Sequence, residues 1–318
     1  MQSTILQKKT VLELKKLCKA SGKKGYSKLK KSELISLLST TKEKQSHEKD
    51  SLKKKSILEL KKLCKASGKK GYSKLKKSEL IQLLTHKQVK HRDSTLIDIS
   101  TWKTQIPSKK GGNPAKIFFS PDGIKYYGKI SKNYERIETE LLASKLYKLA
   151  NIQSTNMKLA KYGKDFVLLV EWKDGIHSPK PSDNAKIQDG FIIDCWLANW
   201  DATVKDNIMM DSKGEPIRMD VGGSLDYRAL GKKKGVGSTI PFTDKVGQIK
   251  SMKKKSRYVD FTSIPLSKLQ AQVADFSRVS DMDISHTVHK NIKDIKRADK
   301  LSSILIARKK NIIEQFTH

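Results

Sequence analysis

Residues 12–35 and residues 58–81 spell the same line, LELKKLCKASGKKGYSKLKKSELI, 46 positions apart. The match extends over residues 11–38 and 57–84 with two changes, Val11 to Ile57 and Ser36 to Gln82. A unit this short has few ways to bury apolar surface, and the pattern selects a pair of short helices. Val11, Leu14, Leu17 and Cys18 recur at helical spacing, with Lys15, Lys16 and Lys19 on the other side. Gly22 reads as a C-cap, KKGYS as a turn, and Ser27 as the N-cap of a second helix whose Leu34, Leu37 and Leu38 face inward. Helices of this length do not persist alone in water, so each needs the apolar face of the other.

Charge follows the same division. The chain carries a net charge of +33, and residues 1–92 hold 27 Lys and Arg against 7 Asp and Glu. More than half of the excess therefore sits in less than a third of the length, which points to a polyanionic partner, nucleic acid before an anionic membrane surface. The three cysteines, Cys18, Cys64 and Cys195, have no metal-ligand spacing, and two of them are one position duplicated. That usage fits reduced thiols inside a cell. No apolar run approaches the ~20 residues that span a bilayer, and MQSTILQKKT lacks the apolar core of a signal peptide. A soluble intracellular protein with no membrane partner is expected, in the nucleus or cytoplasm wherever nucleic acid is accessible.

The repeated line, LKKLCKASGKKGYSKLKKSELISLL with its Gly-Tyr-Ser-Lys turn, resembles the helix–extended loop–helix family of SAP domains and the Rho N-terminal domain, closer to the Rho type. That resemblance implies binding of nucleic acid, DNA first, through backbone phosphates with little base reading. The lysines it nominates are Lys23, Lys24, Lys28, Lys30 and Lys31, and Lys69, Lys70, Lys74, Lys76 and Lys77. Related folds also serve as protein–protein modules. The expected boundaries are residues 8–39 and 56–86 for the repeats, with polar linkers over 40–55 and 87–97. Two modules on a flexible tether gain avidity on a long polyanion without any new contact.

From residue 98 the composition changes, and a single domain is expected to residue 318. AKIFFSPDGIKYYGKIS reads as two strands around an Asp-Gly turn. YERIETELLASKLYKLANI is a helix with Ile137, Leu141, Leu142, Leu146 and Leu149 on one face. FVLLVEW reads as a buried strand and GFIIDCWLANW as a core helix. NIMMD, SKGE and PIRMD form a β-hairpin, and the last ~90 residues read as mostly helical with basic loops. The fold class expected is α+β, with two small all-α modules on flexible linkers ahead of it.

The order of these elements, with GGNP, YYGKI, ETELLASKLYKLA, LANWDATVKDN and RMDVGGSL, resembles a bilobal protein-kinase-like domain. It is nearer to the HipA-like and actin-fragmin-kinase-like group, which is related to phosphatidylinositol kinases, than to protein kinases proper. The resemblance covers residues 98–260 and implies lobes over 98–172 and 173–318. It implies a phosphotransferase using ATP and Mg²⁺ on Ser/Thr of a protein, with Asp201 accepting or orienting the proton of the attacking hydroxyl. Asn207 and Asp220 would hold Mg²⁺, and Lys129, fixed by Glu140, would reach the phosphates. Gly111 and Gly112 would lie over the phosphates, and Glu171 and Trp172 would border the adenine. Lys125 shares strand parity with Lys129, and Glu138 competes with Glu140. Asn207 and Asp211 also suit ordinary turns. The Asp201-to-Asn207 interval is 6, one longer than in typical protein kinases, and Asn-Trp-Asp stands in place of His-Arg-Asp. These departures leave room for a second reading, a nucleic-acid-binding scaffold or packaging protein with an inactive kinase-like domain. The segment LGKKKGVGSTIPF through SMKKKSRY reads as a mobile basic loop or further nucleic-acid surface, and it lacks the Lys-Ser/Thr ending of a Walker nucleotide site.

Overall fold

The computed structural model describes residues 9–20, 26–27, 29–34, 51–67, 73, 76–77, 80–81, 84, 96–108, 114–204, 206–228, 231–234, 242–247, 249, 253–256 and 259–316. The chain divides into two units, Met1–Val89 and Lys90–His318.

In the first unit the two copies of the repeat begin with helices α1 (Val11–Ala20) and α2 (Ile57–Ala66). Both start at a capping box. Glu13 accepts from the backbone N–H of Thr10 at 2.8 Å, and Glu59 from that of Ser56 at 2.7 Å, while Thr10 and Ser56 accept in return. Leu14, Cys18 and Leu34 are buried together, as are Leu60, Cys64 and Leu80. Val11 is exposed, so the stripe is narrower than its spacing predicts. The second helical segment begins at Lys31, four residues past Ser27. Glu33 reaches back from that segment to accept the N–H of Lys30, the residue just before it, at 2.6 Å. Ser27 is therefore not the N-cap; its carbonyl accepts Lys15 Nζ at 2.6 Å, and Lys61 makes the same bond to Ser73. Lys15 is thus part of the loop's anchorage rather than a purely solvated face. Gly22, Leu37 and Leu38 lie outside the described residues.

The second unit is α+β, as expected. Its six-stranded sheet is built from β1 (Ile97–Asp98), β2 (Lys103–Gln105), β3 (Ala115–Phe119), β4 (Lys125–Ser131), β5 (Met157–Tyr162) and β6 (Asp165–Glu171). Their order is β1-β5-β6-β4-β3-β2, with β1 parallel to β5 and every other pair antiparallel. The run FVLLV in β6 is apolar throughout because both faces are covered. Val167 and Leu169 join Ile99, Phe118, Tyr126 and Ala160 on one face, while Leu168 and Val170 enter the main core on the other.

Helix α3 (Tyr134–Leu149) crosses the main-core face, capped by Asn133 Oδ1 on the N–H of Arg136. Its apolar face is the expected one. Much of its polar face is also buried, which ordinary amphipathic patterning does not predict, because partners meet the polar groups there. Glu138 takes Arg297, Glu140 takes Lys129, Ser144 takes Ser154 and the carbonyl of Thr155, and Tyr147 takes Asp194. Helices α4 (Asn184–Gln188) and α5 (Phe191–Trp196) follow, then the hairpin β7 (Ile208–Met210) and β8 (Pro216–Arg218). The helices α6 (Leu266–Ser277), α7 (Asp281–Asn291) and α8 (Ile295–Glu314) close the unit.

One buried ion pair joins these parts. Arg218, 1% exposed, lies 2.8 Å from Asp194 of α5 through Nη2. Asp194 Oδ1 also accepts Tyr147 Oη at 2.7 Å, and Asn199 Nδ2 donates to that hydroxyl at 2.9 Å. A side chain at Gly190 would collide with the Arg218 guanidinium, so the residue before α5 has to be glycine. Removing one partner strands a charge in the core, which costs about 3–5 kcal/mol. Arg218→Met is therefore expected to lower the unfolding free energy of the Lys90–His318 unit by that amount in urea denaturation, and a loss under about 1 kcal/mol would show that water reaches Asp194.

Candidate active site

Strand β4 carries Lys129 on the side opposite Tyr126 and Gly128, and α3 presents Glu140 to it. Lys129 Nζ lies 2.5 Å from Glu140 Oε1 and 3.0 Å from Asp220 Oδ1. Burial alone would pull the Lys129 pKa down, but the two carboxylates more than offset it, and the net shift is upward. Burial holds Glu140, 4% exposed, above the usual carboxylate range although Lys129 opposes it. In Asp220, partial desolvation is outweighed by Lys129 and by the N–H of Gly222, and the pKa falls below its ordinary value. Asp220 stays charged, and its side chain remains 48% exposed.

The structure separates the alternatives that strand parity and helix spacing left open. Lys125 points its ammonium over the Trp172 ring at 3.6 Å, away from the carboxylates. Glu138 accepts from Arg297 Nη1 and from the N–H of Lys293. Asp211 is a turn residue, its Oδ1 accepting the N–H groups of Lys213 and Glu215.

Asp201 lies in the loop after α5. That loop leaves the helix through Ala198, a non-glycine residue with φ of 53°, and reaches the hairpin through Asp206, with φ of 68°. Such left-handed backbone is costly for residues with a Cβ and marks a held conformation. Asn207 Nδ2 donates to the carbonyl of Asp201 at 2.7 Å, which fixes the amide and leaves its oxygen as the acceptor. The β7–β8 hairpin turns back over Asp211–Glu215, and the N–H of Met219 meets the carbonyl of Asn207 at 2.8 Å. Residues 207 and 220 are thereby brought side by side. Burial raises the Asp201 pKa; Lys234 opposes the shift and Asp220 adds to it.

The two glycines after Asp220 are fitted to the carboxylates. A Cβ at Gly222 would sit 2.9 Å from Glu140 Oε2, and one at Gly223 would collide with Asp201 Oδ2. Asp201, Glu140 and Asp220 therefore converge on one turn of backbone, with Lys129 between two of them.

Glu171 and Trp172 end β6, but their N–H groups are already donated to the carbonyls of Asn156 and Lys125. A base placed there meets carbonyl groups or the indole face rather than those two donors. Gly111 and Gly112 lie outside the described residues, as do Lys23, Lys24, Lys28, Lys69, Lys70 and Lys74. Lys30, Lys31, Lys76 and Lys77 are exposed at the starts of the second helical segments. Among the described residues no cluster of three or more His, Cys, Asp or Glu forms a closed metal cage. An amide oxygen beside one half-exposed carboxylate instead suits Mg²⁺, which keeps waters and takes its remaining ligands from phosphates.

Sequence reading missed Lys234, whose Nζ donates to the carbonyls of Ala198 and Gly223, and Arg297, which bonds Glu138, Thr139 and Asp226. Both arrive from distant sequence, and neither has a local signature.

No protein-family model matches the chain, and no curated protein matches it. Among solved structures, the chain is similar to the Helicobacter pylori proinflammatory kinase CtkA at 11% identity and a TM-score of 0.48, over 69% of this chain and 96% of that one. It is also similar to a chain of the Shewanella oneidensis toxin–antitoxin complex of HipA, HipB and operator DNA, at 12% identity and a TM-score of 0.39, over 76% of this chain and 72% of that one. At such identities neither assigns a role to any residue.

The fit at the glycine turn is open to direct measurement. Gly223→Ala is expected to lose about 1–3 kcal/mol, the cost of forcing an extra carbon into a packed site. Gly247→Ala, where a Cβ meets nothing within 4 Å, should change stability by less than about 0.5 kcal/mol. Equal thermal denaturation midpoints for the two variants would mean that Asp201 moves aside freely.

Proposed function

We propose that residues 98–318 form a phosphotransferase of HipA-like protein-kinase type, using ATP and Mg²⁺ and transferring to a Ser or Thr hydroxyl of a protein. The observation that supports this most is the contact of Lys129 with both Glu140 and Asp220, beside an Asp201 whose loop is bonded to Asn207. Phosphoryl transfer needs positioning and charge neutralisation more than covalent help. Lys129 carries a fixed positive charge toward the phosphates, and Glu140 keeps its ammonium from swinging away. Asn207 and Asp220 would hold the metal, which when bound neutralises phosphate charge. Asp201, with its raised pKa, is a carboxylate suited to accept the acceptor hydroxyl's proton or to orient it.

Asp220→Ala should abolish metal-dependent ATP binding and turnover together. Asp201→Ala should spare binding and slow transfer about 10²–10⁴-fold, the range for one lost acid–base group. Lys129→Ala should impair transfer, and Lys125→Ala, whose ammonium lies on Trp172, should do much less. In the wild type, activity should fall as pH drops through the Asp201 pKa, because only the carboxylate accepts a proton. That limb should lie above the ordinary Asp value of about 3.9. Autophosphorylation and ATP hydrolysis on variants with unchanged melting temperature read all of this. A wild-type protein that binds no ATP with Mg²⁺ or Mn²⁺ would favour an inactive scaffold.

The lysine-rich repeats would tether this activity to nucleic acid with low sequence preference. The supporting feature is the charge of residues 1–92, with exposed lysines at equivalent positions of both copies. Binding releases counterions from each phosphate contacted, with a slope of about −0.9 per phosphate. Anisotropy with residues 1–92 should therefore show at least a tenfold loss of affinity between about 50 and 200 mM salt, the change for about two phosphates. A flat salt response, or no binding at low salt, would exclude the tether.

A further inference from the structure

We infer that Lys234 is a positioning residue for phosphoryl transfer: its ammonium stitches the Asp201 loop to the glycine turn after Asp220 and holds the Asp201 carboxylate in place. This rests on the reading of the site as a phosphotransferase. Lys234 Nζ donates to the carbonyl of Ala198 at 2.7 Å and to that of Gly223 at 2.6 Å. Ala198 is the left-handed residue that starts the Asp201 loop, and Gly223 is the residue whose missing side chain admits Asp201 Oδ2. The same two segments meet once more, at the N–H of Leu225 on the carbonyl of Leu197, 2.6 Å, and Leu225 also has positive φ. Two left-handed residues and a bridging ammonium hold one junction, and Asp201 sits on it.

The lysine itself is aimed by a small hairpin. The N–H of Lys234 returns to the carbonyl of Asp226 at 2.8 Å, and Tyr227 pairs with Lys233. That hairpin is anchored from outside the site: Asp226 accepts Arg297, and Lys233 lies 2.6 Å from Glu135 of α3. The ammonium therefore reaches the junction from a docked support. Burial, with Arg308 adding to it, draws the Lys234 pKa down to about 7 against the pull of Asp201 and Asp226. An ammonium in a site that disfavours its charge needs compensation, and the two carbonyls with Asp201 nearby supply it. Two of its three N–H groups are donated to carbonyls, and the Asp201 carboxylate is the charge acting most strongly in its favour.

The test uses the full chain with Lys234→Met and Lys234→Arg. Lys234→Met should lower kcat at least about 10²-fold, the effect of about 1 Å of misplacement, and leave KM for ATP within about threefold. Lys234→Arg, which keeps a charged donor, should recover to within about tenfold of wild type. Amide hydrogen exchange supplies a readout that needs no turnover. In Lys234→Met the N–H groups of Val204, Asn207 and Leu225 should exchange at least about tenfold faster, with α3 unchanged. Wild-type kcat in Lys234→Met, exchange rising equally everywhere, or no rescue by arginine would each overturn the inference. A wild-type protein without turnover would defeat the phosphotransferase reading instead, and exchange at the three amides would still decide whether Lys234 holds the loop.

Discussion

The ion pair between Asp194 and Arg218 is the contact on which the geometry of the second unit rests. Arg218 precedes Asp220 by two residues, Asn199 precedes Asp201 by two, and Tyr147 lies two helical turns beyond Glu140 on α3. All three meet at the Asp194 carboxylate or at the hydroxyl bonded to it. Burying a pair of charges is expensive, and an apolar pair of the same volume is often as stable. What the network adds is register: a one-residue slip of β8 or of the loop after α5 would leave a charge or an amide unpaired in the core. Such a slip is how this site would be lost, since Asp201 and Asp220 are set by the backbone that carries them.

Local chemistry was legible in the sequence, and long-range pairing was not. The hairpin β3–β4 follows from its Asp-Gly turn and α3 from its apolar spacing. The β7–β8 hairpin follows from short apolar runs around Ser-Lys-Gly-Glu. The capping boxes at Thr10 and Ser56 are equally local, whereas Ser27 has the residue type of an N-cap but stands four residues before the second helical segment, where Glu33 reaches back to Lys30. Strands β1, β2 and β5 are not apparent in the sequence because they are short or break the period of two, as in MKLAKY, where Lys158 and Lys161 stand three apart and put one lysine on each face. Lys129 and Lys125 have the same strand parity, and only the position of α3 relative to β4 tells them apart. Asp194, Arg218, Lys234 and Arg297 are conspicuous only once folded, because the hydrogen-bond partners of their side chains lie 11 to 159 residues away.

The duplicated module poses a different constraint. Among the described residues its core joins Leu14, Cys18 and Leu34, with Tyr26 and Leu29 partly covered. A unit so rich in lysine repels itself, which opposes the compact state, so contacts that anchor its loop carry weight. The anchoring bond from Lys15 to Ser27, repeated by Lys61 and Ser73, shows one of those lysines fixing the loop that presents the others. Identity between the copies is thus compatible with one mechanical solution used twice.

In the second unit, α3 is clamped at both ends. At its N-terminal end Arg297 of α8 reaches Glu135, Glu138 and Thr139, and also Asp226, six residues past Asp220. Toward its C-terminal end Tyr147 enters the Asp194–Arg218 network. Glu140 lies between the two clamps, so neither its helix nor the turn carrying Asp220 can shift without breaking buried charged contacts. Lys129 therefore meets carboxylates whose positions are already determined by contacts that do not involve it. For the phosphoryl transfer proposed above, charge stabilisation would be largest where the surrounding dipoles and charges need no reorganisation at the moment of reaction. Two clamps at the ends of α3 would provide that condition, and they explain why so much of the polar face of α3 is buried.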